Sequence, residues 1–300
     1  MCATCGCGDD TGTRVTLLDA LPAPVHQHPH DHGGSHGDAL PHDHSHPHDH
    51  NRPHPPDHSG EQHKHAAPNV ENGDRTVVLE QQILAKNIAA AERNRGWLAG
   101  RGVLALNLMS SPGAGKTTLL ERTIARFTGG IAIGVIEGDQ ETPLDAERIR
   151  ACGSPVVQIN TGAGCHLDAD MVQQALTALD PRPESLVVIE NVGNLVCPAL
   201  FDLGEAYRVV LTSVTEGADK PMKYPHMYRA ADLVLINKMD LLPYVDFDIA
   251  RFTADVGRLN PRATVVSLTA TSDDGIGAWC EWLTAALPTE WNRPNGLTVR

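Results

Sequence analysis

Short apolar runs alternate with stretches of helical spacing over most of this chain, whereas residues 9–69 show no hydrophobic period of either kind. Leu79, Ile83, Leu84, Ile88 and Ala91 recur every three to four residues and predict an amphipathic helix leading into the patterned region. Residues 103–109, 131–136, 156–159, 186–190, 209–213, 233–237 and 264–267 read as strands, 117–127 reads as a helix, and helix-like sequence separates most of the other strands. Apolar strands separated by helices imply an α/β domain with a mainly parallel sheet buried between two helical layers. Ligands of such sheets bind in the loops at the carboxyl ends of the strands. No internal repeat is apparent.

Composition divides the chain further. Pro, Gly, Asp and His dominate residues 9–69, which hold fourteen of the sixteen histidines, between His26 and His65. Too few apolar side chains are available there to offset the ordering entropy, so the segment is expected to be disordered. The chain then falls into a Cys-rich start (1–8), a His-rich segment (9–69) and one α/β domain (70–300). A net charge of −13 argues against nonspecific binding to nucleic acid or an anionic membrane. The longest apolar runs are strand-sized and do not suit a membrane span. The start lacks a basic region followed by an apolar one, so a cytoplasmic location is expected. Seven cysteines in that compartment point to metal binding or packing and not to a disulfide framework.

Ser110-Ser-Pro-Gly-Ala-Gly-Lys-Thr117 joins a strand to a helix and matches the phosphate-loop pattern, with Ser110 in place of the first glycine. Gly113, Ala114 and Gly115 turn backbone N–H groups toward phosphate oxygens at a helix N-terminus. Lys116 is placed for the β- and γ-phosphates, and Thr117, followed by Thr118, offers a hydroxyl to Mg²⁺. Asn237-Lys238-Met-Asp240 ends another strand and resembles a guanine-specificity motif. The Asp240 carboxylate accepts from the ring N–H and exocyclic amine of guanine, donors that adenine lacks. Ser267-Leu-Thr269-Ala270, after the last strand, is a further candidate loop against the base. Glu137-Gly-Asp139 and Glu190-Asn-Val-Gly193 each end a strand near the phosphate loop. Asp139 is taken to hold Mg²⁺ or a water bound to it, with Glu190 supporting it from behind, so Lys116, Asp139 and Glu190 are the catalytic candidates. Helix capping is the competing reading of either carboxylate.

Cys165 and His166 are adjacent in a Gly-rich loop after a strand, and Cys197 lies four residues beyond Gly193. Thiolate and imidazole ligands suit Zn²⁺, Ni²⁺ or copper ions and not Mg²⁺ or Ca²⁺. Cys152 and Cys280 lie in helix-like sequence without ligand neighbours and are expected to be core. Cys2, Cys5 and Cys7 form a separate cluster. Three thiolates with the terminal amine would fill four positions and suit Ni²⁺; a partial zinc motif or a redox cluster are the alternatives. The His-rich segment reads as a low-specificity metal store whose capacity falls below about pH 6, because an imidazole must lose its proton to bind.

Together these motifs resemble the nickel-incorporation GTPases of nickel–iron hydrogenase maturation, the HypB-type family. The resemblance is carried by Cys2-x-x-Cys5-Gly-Cys7, the His-rich insert, Glu80-Gln-Gln-Ile-Leu-Ala-Lys-Asn87, the phosphate loop with its leading Ser110, and Glu137-Gly-Asp-Gln140. It continues through Asn160-Thr-Gly-Ala-Gly-Cys-His166, Glu190-Asn-Val-Gly-Asn-Leu-Val-Cys-Pro198 and Glu216-Gly-Ala-Asp-Lys-Pro221, so it covers essentially the whole chain. It implies a three-layer P-loop NTPase of the signal-recognition and nitrogenase-iron-protein class, slow hydrolysis of GTP to GDP and phosphate with Mg²⁺, and a GTP-promoted homodimer. It further implies a high-affinity Ni²⁺ site at Cys2, Cys5 and Cys7, and a weaker Ni²⁺ or Zn²⁺ site at Cys165, His166 and Cys197 on the dimer interface. The implied partners are the small nickel chaperone HypA and the hydrogenase large subunit that receives the nickel. The alternatives are a nickel or zinc store with a regulatory GTPase domain, or a nickel-insertion GTPase for another enzyme such as urease. Urease-type proteins, however, pair a Cys-Pro-His motif with a shorter chain.

Overall fold

The computed structural model describes residues 13–18, 70–140 and 142–288, with the backbone alone for 70–80. Cys2, Cys5, Cys7 and the histidines of 26–65 lie outside the described residues. One compact unit holds the described chain up to Leu18 and everything from Leu79 onward; the backbone of 70–78 belongs to a separate unit.

The strands are β1 (Arg14–Leu18), β2 (Val103–Ser110), β3 (Ile133–Asp139), β4 (Val156–Asn160), β5 (Ser185–Glu190), β6 (Tyr207–Ser213), β7 (Leu233–Asn237) and β8 (Thr264–Ser267). The helices are α1 (Val70–Gly100), α2 (Lys116–Phe127), α3 (Leu144–Ala151), α4 (Ala169–Leu179), the short α5 (Lys220–Lys223) and α6 (Pro225–Arg229), α7 (Ile249–Leu259) and α8 (Ile276–Ala286). All the strands share one sheet in the order β1-β4-β3-β5-β2-β6-β7-β8. β2 to β8 run parallel, and β1 alone is antiparallel, on the free edge of β4. Every predicted strand appears.

Period-two alternation sorts each strand between two helical layers. Leu106, Leu108, Leu186 and Val188 pack with α2, α3 and α8. Ala105, Val187 and Ile189 point the other way, onto α4 and the end of α1, and Met109, Val210, Val234 and Ile236 onto α6 and α7. This is the three-layer P-loop NTPase architecture expected of the motif order.

Three expectations are corrected. Residues 14–18 are not irregular: β1 finds a ready-made edge on β4, with Val15 and Leu18 half-buried against opposite layers, a tertiary gain that no local period announces. The helix of 79–91 exists, but Ile83 and Ile88 are exposed, and the buried face is Asn87, Ala90, Ala91, Asn94 and Leu98. Asn87 Nδ2 donates to Asp202 O (2.8 Å), and Asn94 Nδ2 to Ala169 O (2.8 Å) and Leu203 O (3.0 Å). Hydrogen bonds to neighbouring loops, with small residues between them, seat this helix closer than isoleucine would allow. Cys280 is buried as expected, but Cys152 follows the last turn of α3 and is exposed.

Close seating has a consequence at Gly204. It adopts φ +90°, and a Cβ there would lie 2.6 Å from Ala91 O and 2.6 Å from Asn94 Cβ. Gly129 has a similar φ of +83° with nothing within 4 Å. Gly204→Ala is expected to lower stability by about 3 kcal/mol and Gly129→Ala by about 1 kcal/mol, the difference being overpacking. Urea-denaturation midpoints check this; equal losses would mean that α1 is not held at that distance.

Candidate functional site

β2 delivers Ser110 to the carboxyl rim of the sheet, and the chain turns through Pro112 and Gly113 into α2. Gly115 caps that helix at φ +105°, where a Cβ would lie 2.5 Å from Asn237 Nδ2, so the turn requires glycine. Asn237 reaches across from the end of β7. Its Nδ2 donates to Ala114 O (2.8 Å), and its Oδ1 accepts from Ala270 N (2.9 Å). Lys238, in the left-handed region at φ +61°, donates from Nζ to Gly113 O (2.8 Å). One buried amide therefore ties together the phosphate loop, the Asn237-Lys-Met-Asp240 loop and the loop after β8. Asp240 lies exposed beyond that junction. Thr269 and Ala270 are buried, and the Ala270 N–H is committed to Asn237.

Lys116 is buried, with Nζ 2.9 Å from Ser110 Oγ. The serine that replaces the usual glycine thus steadies the phosphate-loop lysine. Thr118, in the next position, accepts from Arg148 Nη2 (3.2 Å). Thr117 Oγ1 donates to Glu190 Oε1 (2.9 Å). Glu137 on β3 is the register partner of Glu190 on β5, so two carboxyls stand side by side, 2% and 3% exposed. The Oε2 atom of each is buried without a hydrogen-bond partner. Burial pushes the Glu137 pKa up to about 9, with the charges of Glu190 and Asp139 adding to it. Burial also raises Glu190, to about 7, against the opposing pull of Lys116 and the Thr117 bond.

Lys116, Glu137 and Glu190 border a cavity of about 250 Å³ with Asp139, Asp145 and Gly193. A hydroxyl and two orphaned carboxylate oxygens beside a phosphate loop form a hard oxygen donor set of the kind Mg²⁺ takes. Glu190 bonds Thr117 directly, while Asp139 Oδ2 accepts from Thr142 N (2.8 Å) and Thr142 Oγ1 (3.1 Å) in the turn after β3. Sequence reasoning passes over Glu137 in favour of its neighbour, and over Asp145 altogether, because Asp145 sits in the first turn of α3 and not at a strand end.

The rim also gathers the sulfur ligands. Cys165 Sγ lies 3.2 Å from Cys197 Sγ and 3.8 Å from His166 Nδ1, and one ligand atom from each of the three falls within 4.8 Å of the others. His166 stacks on Phe201 with ring centroids 4.0 Å apart. Burial lowers its pKa and favours the neutral imidazole that a metal requires.

One loop, residues 190–197, joins the two halves of the rim. Asn191 is buried; its Oδ1 accepts from Val192 N (2.9 Å) and Leu167 N (3.4 Å), and its Nδ2 donates to Asn107 Oδ1 (3.2 Å). Asn194 Nδ2 donates to Cys165 O (3.2 Å). A Cβ at Gly193 would lie 3.0 Å from Pro112 Cα, so this loop runs against the phosphate loop. Neither asparagine is singled out by its sequence context, since the bonds to Asn107, Leu167 and Cys165 go to residues far along the chain.

Residues 104–267 match the family described as CobW/HypB/UreG, nucleotide-binding domain. The hydrogenase maturation factor HypB of Escherichia coli K12 is 52% identical over 209 residues, 70% of this chain and 72% of its own. Among solved structures, HypB of Archaeoglobus fulgidus superposes with a TM-score of 0.64 at 43% identity, covering 68% of this chain and 100% of that one. HypB of Helicobacter pylori in complex with nickel gives a TM-score of 0.64 at 35% identity, covering 71% and 100%. No described helix is long and apolar enough to cross a membrane.

The raised carboxyl pKa values fix a sign. Protonated Glu137 and Glu190 suit the fold, so their contribution to stability is complete below the unfolded carboxyl pKa of about 4.3 and is lost as pH rises through about 7 and then about 9. A dication between them favours the charged forms instead. The melting temperature of the protein alone is therefore expected to fall from pH 6 to pH 9, while affinity for Mg²⁺-nucleotide rises over the same interval. Glu137→Gln should remove most of both slopes in calorimetric melts and titrations; slopes equal to wild type would contradict the assignment.

Proposed function

We propose that this chain, which belongs to the HypB family of hydrogenase maturation factors within the CobW/HypB/UreG nucleotide-binding proteins, is a GTP-hydrolysing nickel metallochaperone whose nucleotide state sets its hold on the metal. The observation that carries this reading is the 190–197 loop, which begins on the partner of Thr117 and ends on a thiol 3.2 Å from Cys165.

GTP is the nucleotide favoured by Asp240, whose carboxylate would remain unpaired against adenine. The backbone N–H groups of 113–117 orient the phosphates and Lys116 neutralises them. Thr117, Glu190 and Glu137 would hold Mg²⁺, which supplies positive charge where negative charge builds up on the transferring phosphoryl group. Water then attacks the γ-phosphate, giving GDP and phosphate at the slow rate of a switch. Glu190 is bonded to Thr117, and Gly193 abuts Pro112. A change at the γ-phosphate therefore shifts the stem of the loop, and Asn191, Asn194 and Cys197 pass it to the metal ligands.

Nickel is the cargo at Cys165, His166 and Cys197, with zinc as the competing occupant; the nickel complex of the Helicobacter pylori relative supports this. Exposed Val196 and Leu200 flank Cys197 and offer apolar contacts for a second copy in a GTP-promoted homodimer. Family membership supports a HypA-type chaperone and the hydrogenase large subunit as partners, in the cytoplasm.

Nickel titrations with a GTP analogue and with GDP are expected to differ by about tenfold in affinity at the Cys165 site, a coupling of about 1.4 kcal/mol. Asn194→Ala should bring that ratio close to one while leaving analogue affinity of the metal-free protein unchanged; equal nickel affinities in the wild-type protein would refute the coupling. Asp240→Ala should weaken GTP by roughly tenfold to a hundredfold, the range for losing hydrogen bonds to a charged group, and leave ATP unaffected in competition titrations.

A further inference from the structure

The proposed chemistry uses Glu137 and Glu190 but leaves another buried carboxyl without a role. Glu205 lies just before β6, and its side chain is buried. Its Oε1 accepts from Arg208 Nε (2.6 Å) and Asn107 Nδ2 (3.3 Å), and its Oε2 accepts from Leu203 N (2.7 Å). Asn107 is buried inside β2, on the face where its pleat neighbours are Ala105 and Met109. A buried amide among apolar side chains is costly unless its polar atoms are matched. Here both are, because Asn107 Oδ1 accepts from Asn191 Nδ2 (3.2 Å).

The two ends of this chain of amides fix its sense. A carboxylate paired with a guanidinium accepts and does not donate, so Asn107 turns its NH2 toward Glu205 and its oxygen toward Asn191. Asn191 then turns its own NH2 toward Asn107. That leaves its Oδ1 for the backbone N–H groups of Val192 (2.9 Å) and Leu167 (3.4 Å), and Leu167 directly follows His166. A second arm leaves the same carboxyl through Leu203 N. Two residues earlier, Phe201 stacks on the His166 ring with centroids 4.0 Å apart. Between them, Asp202 is clamped by Arg95 Nη2, 2.9 Å from each of its carboxylate oxygens. One carboxyl therefore stands behind His166 and Leu167 along two routes.

We propose that Glu205 is a positioning residue for the Cys165–His166–Cys197 triad, setting the direction of the Asn107–Asn191 amide chain and seating the Phe201 ring against His166. It touches no metal ligand itself. Two substitutions of similar size separate its arms. Glu205→Met keeps the length but has no acceptor, so both arms lose their anchor, while Arg208 can turn to Asp202, whose Oδ1 lies 4.0 Å from its Nη2. Glu205→Gln retains one accepting oxygen. Facing Asn107 and Arg208, that oxygen preserves two bonds and loses one; facing Leu203 it would preserve one and set donor against donor twice. The amide chain should therefore survive in Glu205→Gln and the Leu203 arm should not.

Site-resolved amide exchange is measured on the full-length protein without metal or nucleotide. Glu205→Met is expected to speed exchange at both Leu167 and Leu203 about tenfold, the worth of one hydrogen bond, with Ile159 in β4 as the unchanged reference. Glu205→Gln should restore protection at Leu167 and leave Leu203 fast. Wild-type exchange at Leu167 in Glu205→Met, or a rise at Ile159 by the same factor, would overturn the positioning role and leave Glu205 a merely structural acid. Glu205→Gln overturns the second arm by itself if Leu203 exchanges as in wild type. Nickel(II) is then titrated and read from the thiolate–nickel absorbance that Cys165→Ser/Cys197→Ser abolishes; Glu205→Met should weaken binding there about fivefold, and unchanged affinity would overturn the proposal. This last measurement rests on the reading of the triad as the nickel site. Absence of those bands in the wild-type protein would sink that reading alone, because the exchange pattern needs no metal.

Discussion

The hydrogen bond from Thr117 to Glu190 is the constraint on which the rest of the rim depends. It fixes the carboxyl end of β5 to the first turn of α2, and the loop that follows has only seven residues in which to reach Cys197. β3 lies between β5 and β4 in the sheet, so the loop must cross two inter-strand spacings, roughly 10 Å, to meet the Cys165 loop. Seven residues could extend to about 24 Å, so the slack is taken up by the hydrogen bonds of Asn191 and Asn194. In the proposed coupling, those bonds carry movement at the phosphate-loop end to the far end of the loop, where the thiols are.

The body of the domain and its rim are held together by different forces. Below the rim, Leu106, Val188, Val187 and Ile189 interdigitate with the helices on both faces, and such packing has one arrangement and resists displacement. At the rim, asparagines do the joining: Asn107 to Asn191, Asn191 to Leu167, Asn194 to Cys165 and Asn237 to the phosphate loop. Amide hydrogen bonds contribute about 1 kcal/mol net each and can be exchanged for others of similar strength. A switch needs joints of that kind on a frame that does not yield. The paired carboxyls of Glu137 and Glu190 fit the same scheme, since buried carboxyls held protonated are poised to ionise beside a dication.

Much of this was legible in the residues alone. Strand positions followed from apolar runs because β2 to β7 are buried on both faces along most of their length, and the phosphate loop followed from glycine spacing because backbone curvature at Gly113 and Gly115 is a local property. Adjacent Cys165 and His166 pointed to a candidate site, to which Cys197 was added through its place after Gly193, and the three ligand atoms do lie together. What could not be read depends on partners distant in sequence. β1 is a strand only because β4 leaves an edge open. α1 turns Asn87 and Asn94 inward because the loop around Gly204 supplies carbonyls for them. The pairing of Glu137 with Glu190 arises across the β3–β5 register, a fact about strand pairing and not about either segment.

The most direct measurement is site-resolved amide exchange at Val192 and Leu167, whose N–H groups both donate to Asn191 Oδ1, in metal-free protein carrying GDP or a GTP analogue. If the loop transmits nucleotide state to the metal ligands, protection at the two amides changes together on passing from one nucleotide to the other. A change at Val192 with Leu167 unaltered would show that the signal stops at the phosphate side, and the coupling between nucleotide and metal would have to be abandoned.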